Sequence, residues 1–309
     1  PAYGNLVPRD IATREIFHVC VDLKLGINGE NMVYLDLSHK DPKELDVKLG
    51  GIIEIYEKFM GDDPRKIPMK IFPAVHYSMG GLWVDYNHMT NIPGLFAAGE
   101  CDFQYHGANR LGANSLLSAI FGGMVAGPKA VEYIRGLDKA AEDLPSSLFD
   151  RELKKHQDKY ESILKLDGDE NAYSLHKELG EWMTNNMTVV RYNDKLRETI
   201  NKIKELKERY KRININDTSR WNNAGVAFTR QLWNMFELAE AMTVGALLRD
   251  ESRGAHYKPE FPERNDEKFM KTTMATWTPD GPKIDYEDVD ASLIPPRKRD
   301  YTTDKKKGA

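Results

Sequence analysis

The sequence predicts a multidomain chain of the α+β class, mixed in its first third and helical through its middle. Three observations carry that expectation. The chain has 309 residues, enough for two or three packed units with a sizeable core. Short apolar runs broken by Gly and Pro crowd the first 135 residues, as strands between turns would. Leu196, Ile200, Ile203, Leu206 and Tyr210 then recur at steps of four, three, three and four, the single apolar stripe of an amphipathic helix.

The elements follow in order. Asp10 to about Val21 has a helical pattern, with Asp10 placed to cap it. Met32-Val33-Tyr34-Leu35-Asp36-Leu37 reads as a strand, and Leu49 to Met60 as a helix stopped at Gly61 with Pro64 beyond. Met69 to Val75 is a strand interrupted by Pro73; Gly80 to Asp85 is a turn leading into a strand. Asn91-Ile92-Pro93-Gly94 is a turn, and Leu95 to Gly99 a short buried strand ending at a glycine. Ser115 to about Arg135 is a long apolar helix whose Gly122, Gly123 and Gly127 allow close packing. The stretch from about Trp221 to Arg249 is a second long helix, and Thr273 to Thr278 a strand in an otherwise irregular, proline-rich end whose last ten residues are expected to be disordered.

Composition excludes several classes. Charged residues are 30% and the hydrophobic set 40%, an ordinary globular balance, and the net charge is -4 with no basic block on a folded segment, so nothing marks a nucleic-acid binder. The basic run Lys305-Lys306-Lys307 reads as a solvated tail. The two cysteines, Cys20 and Cys101, form no CxxC or Cys/His cluster, which argues against a zinc, haem or iron–sulfur site within this chain and fits a reducing compartment. No apolar run approaches the ~20 residues of a membrane span, and no signal peptide is visible. The opening Pro1-Ala2-Tyr3 reads as the middle of a domain, so a truncated N-terminus is expected.

Three segments carry candidate chemistry. In the first, a strand ending at Gly99 is followed by Glu100, an acid able to accept from ribose or ribityl hydroxyls, and then by His106-Gly107-Ala108-Asn109-Arg110-Leu111-Gly112-Ala113-Asn114-Ser115-Leu116-Leu117. Asn114 or Ser115 can cap the helix after it, whose first N–H groups and dipole would suit an electron-rich ring edge that gains charge on reduction. A glycine-rich loop with a salt-bridged arginine is the plainer reading, and residues alone leave the two even. In the second, His76 sits at a strand end before Gly80-Gly81, where a lone histidine is more often structural. The third is Arg9-Asp10, by default a surface arginine and a helix cap.

Taken together, His76-Tyr77-Ser78-Met79-Gly80-Gly81, Leu95-Phe96-Ala97-Ala98-Gly99-Glu100 and the His106 to Leu117 segment resemble the succinate dehydrogenase/fumarate reductase flavoprotein family. Glu251-Ser252-Arg253-Gly254-Ala255-His256 and Phe261-Pro262-Glu263-Arg264-Asn265-Asp266 are similar to that family's C-terminal region, and the lead-in Phe103-Gln104-Tyr105 is most similar to its Bacillus-like, menaquinone-linked type. The resemblance runs in order over almost the whole chain. It implies part of a cap domain over 1–68, the C-terminal part of an FAD-binding α/β domain over 69–135, a helical bundle over 136–249 and a small irregular C-terminal region over 250–309. It implies Arg9 as the proton-transferring residue with Asp10 in its path, and His76 and Arg110 as the clamp on a dicarboxylate. It implies Gly99, Glu100, Asn114, Ser115 and Leu116 as flavin contacts. The turn at Met79, Gly80 and Glu100 resembles a place where some members hold a monovalent cation.

The implied function is succinate oxidation by hydride transfer to FAD. Electrons would pass to an iron–sulfur subunit and, through a membrane-anchor cytochrome b, to quinone, at the cytoplasmic face of a bacterial plasma membrane. The fumarate-reducing direction and L-aspartate oxidase are the alternatives within the superfamily; a non-catalytic docking fragment is the third reading. The sequence departs from the family in three respects. No GxGxxG follows a strand, and neither the covalent flavin-linking histidine nor the cap domain's other substrate-binding His and Thr is matched. The chain on its own is therefore expected to bind FAD poorly and to show no turnover, which a flavin spectrum of the purified fragment checks.

Overall fold

The computed structural model describes residues 9–103 and 105–296. Pro8, Gln104, the Lys305–Lys307 run and the expected disordered tail fall outside these. The chain divides into two compact units, one running to His76 and the other from Tyr77 onward.

In the first unit, helix α1 (Arg9–Phe17) runs into one π-helical turn, His18–Asp22. Asp10 lies inside the first turn of α1 rather than at its cap. Strand β1 (Val33–Leu35) pairs antiparallel with β2 (Met69–Ile71), Val33 opposite Ile71 and Leu35 opposite Met69. Strand β2 ends before Pro73, whose missing N–H cannot extend a ladder. Helix α2 (Pro42–Met60) starts seven residues earlier than the expected Leu49. The reason is local: Asp41 accepts from the Lys43 N–H at 3.0 Å, and Pro42 takes the first helical position, where its missing N–H costs nothing. Gly61, at φ 79°, ends the helix as expected.

The second unit opens with irregular chain. The expected strands at 82–85 and 95–99 are reduced to isolated bridges, Val84 with Thr90, Met89 with Phe96 and Leu82 with Asp102. A strand is completed by a ladder of hydrogen bonds to a neighbour, and among the described residues these segments make only isolated bridges. Gly99 to Cys101 forms a single 3-10 turn instead. Helix α3 (Asn114–Arg135) follows. Of its three glycines only Gly122 is in a tight place: a Cβ there would meet the Tyr105 hydroxyl at 2.4 Å and Ala98 at 3.2 Å, while Gly123 and Gly127 face open space.

Helices α4 (Ser146–Leu164), α5 (Ala172–Met183), α6 (Asn193–Tyr210) and α7 (Ala224–Leu248) build the helical part. The stripe read from sequence is its seam. Leu196, Ile203 and Leu206 are fully buried, and the last two pack against Leu175 and Leu179 of α5 and Leu232 and Phe236 of α7. Each such side chain withdrawn from water contributes roughly 1.5–3 kcal/mol. Asn171 and Asn223 cap α5 and α7 through their side-chain oxygens. After the short helix α8 (Asp266–Phe269), β3 (Lys271–Thr276) and β4 (Lys283–Asp288) form an antiparallel hairpin, Thr273 opposite Tyr286. Among the described residues no helix is long and apolar enough to cross a membrane.

Candidate functional site

The loop from Glu100 to Ser115 is fastened from below by a buried cluster. His88 is 1% exposed, and its Nδ1 lies 3.0 Å from the Ala97 carbonyl oxygen. A carbonyl only accepts, so Nδ1 carries a proton, and Nε2 lies 2.8 Å from the Tyr105 hydroxyl. Asp102, also buried, stands 3.4 Å from the same Nδ1. Burial, and then the Asp102 charge, push the Tyr105 phenol up to about 12. His106 follows in chain. Its Nε2 is 3.1 Å from the Ser118 Oγ, which donates to the Ser115 carbonyl oxygen at 2.9 Å. Burial first and the Arg110 charge second hold the His106 pKa below its ordinary value.

Arg110 is placed by its surroundings. Its backbone N–H points at the Met79 sulfur (3.0 Å), and its guanidinium lies over the Tyr77 ring at 5.5 Å and donates to the Leu111 carbonyl oxygen at 3.1 Å. Among the described residues no carboxylate pairs with it. A guanidinium seated on an aromatic face with donors to spare suits a carboxylate ligand, which it can hold through two parallel bonds.

Four residues after Arg110, α3 begins. The expected cap by Asn114 or Ser115 is not made: the N-cap is Ala113, at φ 63°, and no side chain closes the end. Asn114 and Ser115 lie within the helix instead, and Leu116 and Leu117 stand out at 75% and 64% exposure. The Asn114 N–H donates to the Leu111 carbonyl oxygen at 3.4 Å, and the next N–H groups of this 22-residue helix, on Ser115 and Leu116, are left for an outside acceptor beside exposed apolar side chains. That donor set fits the polar edge of a flavin ring. Glu100 accepts from the Ser78 N–H at 2.8 Å, so one of its oxygens holds the Met79-Gly80 turn in place. Gly99, at φ 84°, is buried against Ala119.

The remaining expected residues belong to the first unit: Arg9, exposed at the start of α1, Asp10, paired with Arg14 at 3.8 Å, and His76, exposed and directly before the second unit begins. Among the described residues no group of three or more His, Cys, Asp and Glu is placed to hold a metal ion.

Sequence reading passed over Tyr77, His88, Asp102 and Ser118. It also passed over the contact of the Arg253–His256 turn with the Ala108 carbonyl. His88 had one signal, its place three residues before the Asn91 to Gly94 turn; the others had none.

His256, in that turn, carries a pH prediction. Its Nε2 donates to the Arg249 carbonyl oxygen at 2.9 Å, and its Nδ1 accepts from Arg191. Burial, then the Arg191 charge, lower its pKa to about 3, while burial alone draws Arg191 down to about 10. The unfolded imidazole takes up a proton below about pH 6.5 and the folded one does not, so His256 contributes stability above that value and loses it as pH falls towards 3. Between pH 7 and pH 5 the loss is expected to be about 1–2 kcal/mol. Urea denaturation of the full-length protein at both pH values should show this decline, and His256→Gln should flatten it; an equally steep decline in the variant would refute the assignment.

Two family models match the chain: an FAD binding domain over residues 3–116 and the fumarate reductase flavoprotein C-terminal domain over 176–301. The succinate dehydrogenase flavoprotein subunit of Bacillus subtilis is 72% identical over 99% of this chain and 52% of its own length. The fumarate reductase flavoprotein subunit of Escherichia coli is 36% identical over 97% of this chain and 50% of its own. A solved variant of the E. coli quinol fumarate reductase superposes with a TM-score of 0.87 at 34% identity, covering 96% of this chain and 51% of that one. The chain spans about half the length of the relatives it matches.

Proposed function

Because the chain belongs to the succinate dehydrogenase/fumarate reductase flavoprotein family, we propose that it is part of a flavoprotein subunit that oxidises succinate to fumarate. The observation that carries this reading is Arg110: an arginine without a carboxylate partner among the described residues, four positions ahead of a helix start that no side chain caps.

Bound FAD supplies the two-electron acceptor for the hydride. The chain's own residues bind and orient. Arg110 grips one carboxylate and His76 helps hold the diacid, so that one methylene is fixed for hydride loss. Arg9, a cation with no free proton site, first yields a proton to Asp10 and then takes the one from the other methylene; in fumarate reduction the same path runs backwards and Arg9 acts as the acid. The N–H groups of Ser115 and Leu116, with Gly99, Glu100 and Asn114, would hold the flavin and would favour negative charge on it. In this reading residues 1–68 are part of the cap domain, 69–135 part of the FAD-binding domain, 136–249 the helical domain and 250–309 the C-terminal region. An iron–sulfur subunit takes the electrons onward, and a membrane-anchored cytochrome b links the assembly to quinone at the cytoplasmic face of the plasma membrane.

Anaerobic addition of succinate to the full-length flavoprotein tests the proposal. Succinate should bleach the flavin absorbance and fumarate should restore it. Bleaching by L-aspartate in place of succinate would move the assignment to an amino-acid oxidase.

A further inference from the structure

The turn Arg253-Gly254-Ala255-His256 meets the loop that carries Arg110, backbone against backbone. The Ala255 N–H donates to the Ala108 carbonyl oxygen at 2.8 Å. Gly254 lies closer still: a Cβ on it would stand 2.3 Å from that oxygen and 2.6 Å from its carbon. Gly254 also has φ 59°, a conformation costly for residues with a Cβ. Arg253 and His256 exchange two backbone hydrogen bonds, of 2.8 and 3.0 Å, so Gly254 and Ala255 are the tip of a two-residue hairpin turn.

The base of this turn is anchored on all sides. Glu251 is fully buried, and its carboxylate accepts from Arg249 Nε, Arg253 Nε, Arg253 Nη2 and the Asn265 N–H, at 2.8–3.0 Å. Arg249 reaches on to the Lys271 carbonyl and Thr273 of β3. His256 is held between Arg191 and the Arg249 carbonyl, and the buried Lys258 ammonium between the Leu247 carbonyl and Asp250. Charge-assisted hydrogen bonds in this number, out of water, leave the tip little freedom to yield.

We propose that Gly254 and Ala255 are positioning residues for the dicarboxylate site. They form a fixed stop that sets the Ala108 backbone, and with it the guanidinium of Arg110 two residues on. The inference rests on the reading of Arg110 as the carboxylate clamp. A side chain at 254 must push Ala108 back by roughly 1 Å to reach ordinary contact, a misplacement of the size that costs about 10²-fold when it reaches reacting groups. Linkage requires the converse: a diacid that seats the Arg110 loop also tightens the turn.

The test uses the full-length, flavin-loaded enzyme in its assembled complex. Malonate, a diacid without the two-methylene unit to be oxidised, is titrated against the flavin spectrum, and succinate kinetics are measured beside it. Gly254→Ala is expected to raise the malonate Kd and the succinate KM at least tenfold, with kcat falling less than KM rises and flavin content unchanged. Values within twofold of wild type, in a protein that holds its flavin, would overturn the proposal. A purely structural role would lower the melting temperature and leave KM alone. Should the variant fail to assemble, wild-type hydrogen exchange decides: malonate should slow exchange of the 250–258 amides several-fold, and unchanged exchange rejects the coupling. A wild type blind to malonate defeats the dicarboxylate reading itself, whereas a wild type that binds it and a variant that binds it equally well defeat this inference alone.

Discussion

Arg110→Ala, which removes the proposed carboxylate clamp, is expected to lower succinate kcat/KM of the full-length enzyme by about 10²–10³-fold, since truncating one member of a hydrogen-bonded charge pair costs about 2–5 kcal/mol and each 1.4 kcal/mol is tenfold. Arg110→Lys keeps the charge and loses the planar fork and the stacking over Tyr77, so its loss should be intermediate. Flavin content should be the same in all three proteins, because the N–H donors at the α3 start belong to the backbone. Steady-state kinetics with a dye acceptor make the comparison. An alanine variant within tenfold of wild type would show that another cation holds the diacid.

Glu251→Ala is expected to cost roughly 3–5 kcal/mol of folding stability, the range seen when one partner of a buried ion pair is removed. The carboxylate takes four N–H donors in a fully buried place, and its removal leaves Arg249 and Arg253 facing each other with their shared anion gone. For a unit of this size the melting temperature should fall by roughly 10 °C. Differential scanning calorimetry of the full-length protein measures it. A drop of a degree or two would mean that water reaches the arginines and replaces the carboxylate. The effects are read by different measurements: Glu251 by folding stability, Arg110 by kcat/KM, and Gly254 by KM and the malonate Kd.

Periodicity and punctuation carried the sequence reading where structure is local. The Leu196 to Tyr210 stripe became the buried seam of α6, and Gly61 ended α2 as its freedom at positive φ requires. The start of α2 was equally local, written in Asp41-Pro42, but an apolar pattern starting at Leu49 drew attention away from it. The 95–99 segment failed for a different reason. Its apolar text is that of a strand, yet a strand exists only through its neighbours, and one isolated bridge is all it makes. The partner β4, Lys283-Ile284-Asp285-Tyr286-Glu287-Asp288, is too polar to announce itself and is held by its register with β3.

The segment from Glu100 to Leu116, which carries the proposed site residues, stood out in the sequence because it is contiguous. The supports beneath it did not. His88 and Tyr105 meet across 17 residues, and Gly254 and Ala108 across far more. In the same way, three glycines on α3 look alike in a sequence, and only the fold reveals that Gly122 alone is pressed against Tyr105 and Ala98.

Helix α3 has one more consequence. Leu116, Leu117, Ile120, Phe121 and Met124 stand 55–75% exposed along it, a greasy strip more extensive than soluble monomers usually tolerate. For the chain handled by itself, this strip sets the laboratory behaviour. It will draw fluorescent hydrophobic dyes, pull copies together as concentration rises, and be quietened by mild detergent.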